Sequence, residues 1–193
     1  MKKIKDSNQY SPEVQRKPLL DARTSIKITP HAAKSKITII IGPDNSRNTT
    51  RMFELFKQRS VGTGVVSFKV FNTENLHIGY DFLELQSKNT IPFSRLTALG
   101  FHAFGNPDLA INNGKYSILL SAYQEVAKKI DYSQPIWLDN VCNIEAEGGG
   151  FAPIIEKAME MHSELILAVQ ESALTNILSK YFKGYAPEII NEL

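Results

Sequence analysis

The sequence predicts an α/β fold: a mostly parallel sheet, helices on both faces and an inserted antiparallel hairpin. Three observations carry it. The run Ile37-Thr38-Ile39-Ile40-Ile41 is β-branched and apolar, stops at Gly42, and leads through a polar loop into a helical pattern. Further short apolar runs alternate with helix-period segments, the pattern of a parallel sheet with crossover helices. One of those runs, Ile136-Trp137-Leu138-Asp139, ends in a carboxylate. In such sheets ligands bind beyond the carboxyl ends of the strands, where both the Gly42 loop and Asp139 are expected.

The chain opens with a basic arm over residues 1–35, polar and carrying three prolines. Residues 1–36 hold a net charge of +6 within a chain of +2, so the body is mildly acidic. That asymmetry argues against nucleic-acid binding over the whole surface. The arm reads as a solvated or oligomer-wrapping segment, with a protein partner or a second copy as its expected contact. The body, 36–193, reads as one domain. A single Cys142 excludes an internal disulfide and any cysteine-built metal site. His31, His77, His102 and His162 show no ligand spacing. No apolar run is long enough to span a bilayer and no signal-like segment follows the basic start, so the expected compartment is cytoplasmic with no membrane partner.

Residues 49–59 follow the loop as a helix, with Met52, Phe53, Leu55 and Phe56 at helical spacing. Gly62 and Gly64 then lead into a strand, Val65-Val66-Ser67-Phe68-Lys69-Val70-Phe71. The runs 79–85 and 90–96, joined at Ser87-Lys88-Asn89, read as the hairpin, where Asp81 and Arg95 are placed to pair as an ordinary salt bridge. Residues 100–114, with their glycines, proline and asparagines, read as a loop. A short strand at 115–119 precedes a helix to about residue 130. The strand ending at Asp139 comes next, then a flexible Gly148-Gly149-Gly150 loop, a helix at 153–162, a last parallel strand at 164–169 and a helix at 172–182.

The loop itself has the layout of a phosphate cradle, G-x-x-x-x-G-K-[ST], in which backbone N–H groups hold phosphates, Lys reaches the β/γ oxygens and Ser/Thr holds Mg²⁺. Gly42 and Thr49 occupy its first and last positions. Arg47 stands where the second glycine belongs, and Asn48 where the lysine belongs. The candidate binding residues are therefore Gly42, Pro43, Asp44, Asn45, Ser46, Arg47, Asn48, Thr49 and Thr50.

Several blocks, in order and spacing, resemble the small P-loop nucleoside-triphosphatases of the cancer-related nucleoside-triphosphatase type. They are the 42–50 loop, Gly64-Val65-Val66-Ser67-Phe68, Gly79-Tyr80-Asp81-Phe82, Phe93-Ser94-Arg95, Asn113-Gly114-Lys115-Tyr116, Leu138 through Glu145, and Gly150-Phe151. The resemblance covers residues 36–182. It implies Mg²⁺ held by Thr49 and Asp139 with a nucleoside triphosphate, and catalytic roles for Asp139 and Glu145. It also shows three departures at the chemistry: Asn48 has no ammonium, Arg47 lacks the glycine's backbone freedom, and Asn140 replaces the acid expected to activate water. The expectation is a degenerate member with weak nucleotide or phosphate binding and little or no hydrolysis. The alternative is a non-catalytic interaction or scaffold protein whose site is closed. Asp139 stays open between magnesium coordination and helix capping, and Glu145, apart from the resemblance, reads as a surface acid. Cys142 reads as a small buried residue rather than a nucleophile.

Overall fold

The computed structural model describes residues 35–42, 45–99 and 110–191, with the side chains of residues 45, 46 and 110–113 left aside. Residues 1–34, Pro43, Asp44, the segment 100–109 and the last two residues lie outside it. The expectations for the basic arm and for His31 and His102 fall there.

The strand β1 (Ile37–Ile41) is buried at every position, as a β-branched run facing apolar layers on both sides should be. It pairs in parallel with β8 (Leu165–Val169) on one side and β9 (Glu188–Asn191) on the other. Beyond β8 lie β7 (Ile136–Val141) and β2 (Thr63–Phe71), also parallel. From β2 outward every pairing is antiparallel, through β3 (His77–Glu84), β4 (Thr90–Leu96), β6 (Tyr116–Leu119) and β5 (Ala110–Asn113). The described residues thus form one sheet in the order β5-β6-β4-β3-β2-β7-β8-β1-β9. Its parallel half holds the four strands the sequence predicts, β1, β2, β7 and β8, with β9 added at the edge. The antiparallel half holds the expected hairpin β3–β4 and extends beyond it.

Three corrections to the sequence reading follow. Residues 110–113, expected in a loop, form β5 on the outer edge. Residues 188–191, beyond the last predicted helix, form β9 and cover the free edge of β1. The first helix, α1 (Asn45–Arg59), begins about one turn earlier than the apolar spacing suggests. Polar first-turn residues carry no hydrophobic periodicity, so the pattern detects a helix only once it starts to pack.

Alternating strand residues divide the core into two layers. On one face Ile40, Val66, Trp137, Ile166 and Ala168 pack against Met52 and Phe56 of α1. Trp137 is the anchor: Phe56 meets it edge-on at 5.5 Å and its Nε1–H donates to Val61 O at 3.1 Å. Gly64, at φ 134°, lies so close that a Cβ there would sit 1.9 Å from Trp137 O, so this β2–β7 register requires glycine. On the other face Ile39, Val65, Leu138 and Leu167 pack with α2 (Leu120–Lys129), α4 (Ala152–Glu160) and α5 (Leu174–Tyr181). There Phe82 stacks on Phe93 at 4.0 Å, and Tyr123 meets Phe151 edge-on at 4.8 Å. Each such buried aliphatic or aromatic side chain contributes roughly 1.5–3 kcal/mol relative to exposure. Asp81 and Arg95 do form the expected salt bridge, at 2.6 Å across β3 and β4.

Candidate functional site

The buried stripe of α1 begins with a polar residue. Asn48, Met52 and Phe56 recur every four residues, so they share the face turned to the sheet. Asn48 is consequently 2% exposed, and its Nδ2 donates to Val169 O at the end of β8, at 3.4 Å. Its Oδ1 is buried and, among the described residues, has no hydrogen-bond partner. Arg47, one place earlier, is exposed, and so is Thr50. The side chain that departs from the motif at the lysine position therefore points into the protein, and the extra cation points out. Gly42 closes β1 and is buried; Pro43 and Asp44 lie outside the described residues, as do the side chains of Asn45 and Ser46.

One residue further round the helix, Thr49 meets the strand that sequence reasoning singled out. Its Oγ1 donates to Asp139 Oδ2 at 2.7 Å. The same oxygen accepts from Ser67 N at 2.8 Å and Ser67 Oγ at 2.7 Å, while Oδ1 accepts from Asn140 N at 2.8 Å. Asp139 is 1% exposed, and burial pushes its carboxyl above the ordinary range against the pull of these donors. Thr49 and Asp139, on separate elements, are thus brought together, and Asp139 binds a hydroxyl at the start of α1. Ser67 is a partner that the loop motif does not contain. Its signal was a small polar residue inside the apolar β2 run, since a buried hydroxyl needs a partner.

Asn140 sits in a bulge. The β7–β8 register slips between Leu138 and Val141, and Asn140 takes φ 61°. Asn is among the few residues that adopt this left-handed conformation readily. Its Oδ1 accepts from Gln170 Nε2 at 2.9 Å, so the amide is held by the end of β8. Gln170 had no signal in the sequence.

Glu145 is a correction. It is 0% exposed, not a surface acid. It lies in α3 (Asn143–Ala146), a single turn absent from the sequence reading, where Oε2 accepts from Cys142 N at 2.8 Å. Its Oε1 accepts from Phe151 N at 3.1 Å. The carboxylate thereby closes the 142–151 loop on itself, a capping-box role. Gly150 makes room for it: at φ 58°, a Cβ there would lie 2.0 Å from Glu145 Oε1. Gly150 is therefore fitted against the buried acid and Gly149 against Ile144, where sequence alone suggested a flexible loop. Burial raises the Glu145 carboxyl above its usual range. Burial also pushes the Cys142 thiol up to about 12, which removes it as a nucleophile at neutral pH. His77 packs among Phe71, Tyr80 and Tyr116 and His162 is exposed, so neither joins the site.

With that geometry established, the chain is similar in fold to the solution structure of a human cancer-related nucleoside triphosphatase. The TM-score is 0.56 at 17% identity, over 82% of this chain and 89% of that one. It is also similar to THEP1 from the hyperthermophile Aquifex aeolicus, with a TM-score of 0.54 at 13% identity, over 80% and 88% of the two chains. These likenesses establish a P-loop nucleoside-triphosphatase type of fold, the one the motif blocks resemble. No profile of a known family matches the sequence, and no curated protein sequence matches it. Among the described residues no helix is long and apolar enough to cross a membrane.

Proposed function

We propose that this protein binds a nucleoside polyphosphate, or phosphate alone, at the loop between β1 and α1, with little or no hydrolysis. The single observation that carries the reading is the Thr49–Asp139 pair: a hydroxyl at the helix start bonded to a buried carboxylate on a neighbouring strand. These are hard oxygen donors of the kind Mg²⁺ takes alongside substrate phosphates, so the residues present fit that ion. Mg²⁺ bound there would supply charge neutralisation at the β/γ oxygens. The N–H groups of the first turn of α1 and the helix dipole add an anion-binding end that survives loss of side chains.

Slow or absent turnover follows from the other residues. Asn48 has no ammonium to offset charge developing on the transferred phosphoryl group. Asn140 carries an amide, which accepts no proton at neutral pH, and its oxygen already accepts from Gln170. Both oxygens of Glu145 are engaged by backbone N–H groups, which favours a structural role over that of a free base.

Isothermal titration of the full chain with ATP, GTP and ADP, with and without Mg²⁺, tests the reading. Mg²⁺-dependent binding of a triphosphate is expected. No heat with any nucleotide, together with no phosphate or sulfate at the start of α1 in a soaked crystal, would overturn it. That outcome would favour a non-catalytic interaction role for the same fold.

A further inference from the structure

We propose that Asn48 makes the phosphate grip of this loop depend on a monovalent cation of potassium type, held at its side-chain oxygen in place of the missing ammonium. The inference deepens the nucleotide reading above and rests on it. Asn48 occupies the first turn of α1 beside the loop and is 98% buried, yet only half of its amide is used. The carbonyl of Val169 can only accept, so it fixes Nδ2 toward itself and leaves Oδ1 as the corner without a partner among the described residues. A buried acceptor left alone costs about 1–3 kcal/mol, so its retention calls for an occupant.

The chemistry of that occupant is constrained from both sides. A polyphosphate presents only oxygen acceptors, so direct contact with Oδ1 would be repulsive. A cation between the two oxygens reverses the sign. It restores at this position the single positive charge that a lysine would have brought, and Arg47, being exposed, does not bring it. A neutral amide oxygen suits a weakly hydrated monovalent ion, which exchanges its water for carbonyl ligands. Mg²⁺ keeps its waters and prefers carboxylates, and the carboxylate available, Asp139, is reached through Thr49 on the next position of the helix. A bridging water is the competing occupant, and it differs in one measurable respect: it does not depend on which salt is present.

The test is Mg·ATP titration into the full chain in potassium chloride and in choline chloride at matched ionic strength. A charge-assisted contact predicts binding about ten- to a hundredfold tighter in potassium. Asn48→Leu should bind at the choline level in either salt, and Asn48→Lys should bind tightly in both. Equal parent affinity in the two salts overturns the cation and leaves nucleotide binding intact. Retained potassium dependence in Asn48→Leu also overturns it, by moving the ion away from Asn48. No binding in any salt overturns both readings together. The parent comparison needs no variant, so a variant that fails to fold leaves the test standing.

Discussion

Thr49 Oγ1 and Asp139 Oδ2 stand 2.7 Å apart, joining the start of the second turn of α1 to β7 across 90 residues of chain. Around that bond one carboxylate accepts four hydrogen bonds in a buried position. Asp139→Ala leaves buried donors on Ser67 and Asn140 unpaired and should lower stability by on the order of 3 kcal/mol, whereas Thr49→Val should lose about 1 kcal/mol. Urea unfolding of the two variants checks the order. A smaller loss from Asp139→Ala than from Thr49→Val would mean that the carboxylate is not the hub of this network.

Gly150 is tied to Glu145 by lack of space. Gly150→Ala introduces a Cβ 2.0 Å from Glu145 Oε1 at a left-handed backbone position. Strain of this type is worth about 1–3 kcal/mol. A matching fall in stability is expected, whereas Gly184→Ala, also at positive φ but with nothing within 4 Å of the added atom, should lose less. Thermal melts of the pair separate steric conflict from backbone strain.

The far end of α1 carries a pH-dependent anchor. Arg59 binds Glu164 in bidentate fashion, at 3.0 and 2.7 Å, with Lys36 at 3.2 Å. The hydrogen bond from Arg59 is the main reason the Glu164 carboxyl titrates below its ordinary 4.5. A lowered acid stabilises the folded state fully above its unfolded value and loses that contribution as pH falls through the folded one. Glu164→Gln should therefore lower stability by about 1 kcal/mol at neutral pH, a figure kept small because Arg59 is partly solvated. The deficit should fade as the pH drops below 4.5. A constant deficit down to acid pH would mean that packing, not charge, is what the substitution removes.

Turnover is the fourth expectation. In potassium or choline the parent should hydrolyse ATP or GTP no faster than Asn48→Ala. A Mg²⁺-dependent rate lost in that variant would show that an amide and a bound cation suffice for chemistry. Asn140→Glu is the companion variant, restoring a proton acceptor. Its left-handed backbone carries a penalty of about 1–2 kcal/mol for a residue other than glycine or asparagine, so its stability should be measured beside its rate.

What could be read from the sequence, and what could not, divides along periodicity. β1, α1 and β7 carry apolar patterns dense enough to register, even though α1 starts a turn before its pattern does, and the Thr49–Asp139 pair lies where α1 meets β7. β9 has only two apolar residues between Glu188 and Asn191, and α3 is a single turn, so neither holds enough period to register. Ser67 and Gln170 contribute single polar groups whose partners lie far along the chain. The burial of Glu145 had a local trace: an acid three residues after a turn start, followed by a glycine run. Glutamate is so seldom fully buried that the surface reading prevailed.

The position of β1 bears on the order in which the molecule is completed. Its neighbours are β8 and β9, the last two described strands, and among the described residues it pairs with no other. As the polypeptide leaves the ribosome, the strand that leads into the loop before α1 emerges before every described element it will pack on. Neither of the described strands that pair with it appears until more than a hundred residues have followed. Pairing over such sequence distances is slow, and a bare β-branched strand is prone to pair with other chains meanwhile. The loop between β1 and α1 is thus encoded early and assembled late, and a nascent chain halted before residue 165 holds the loop's residues without either of the strands that flank β1.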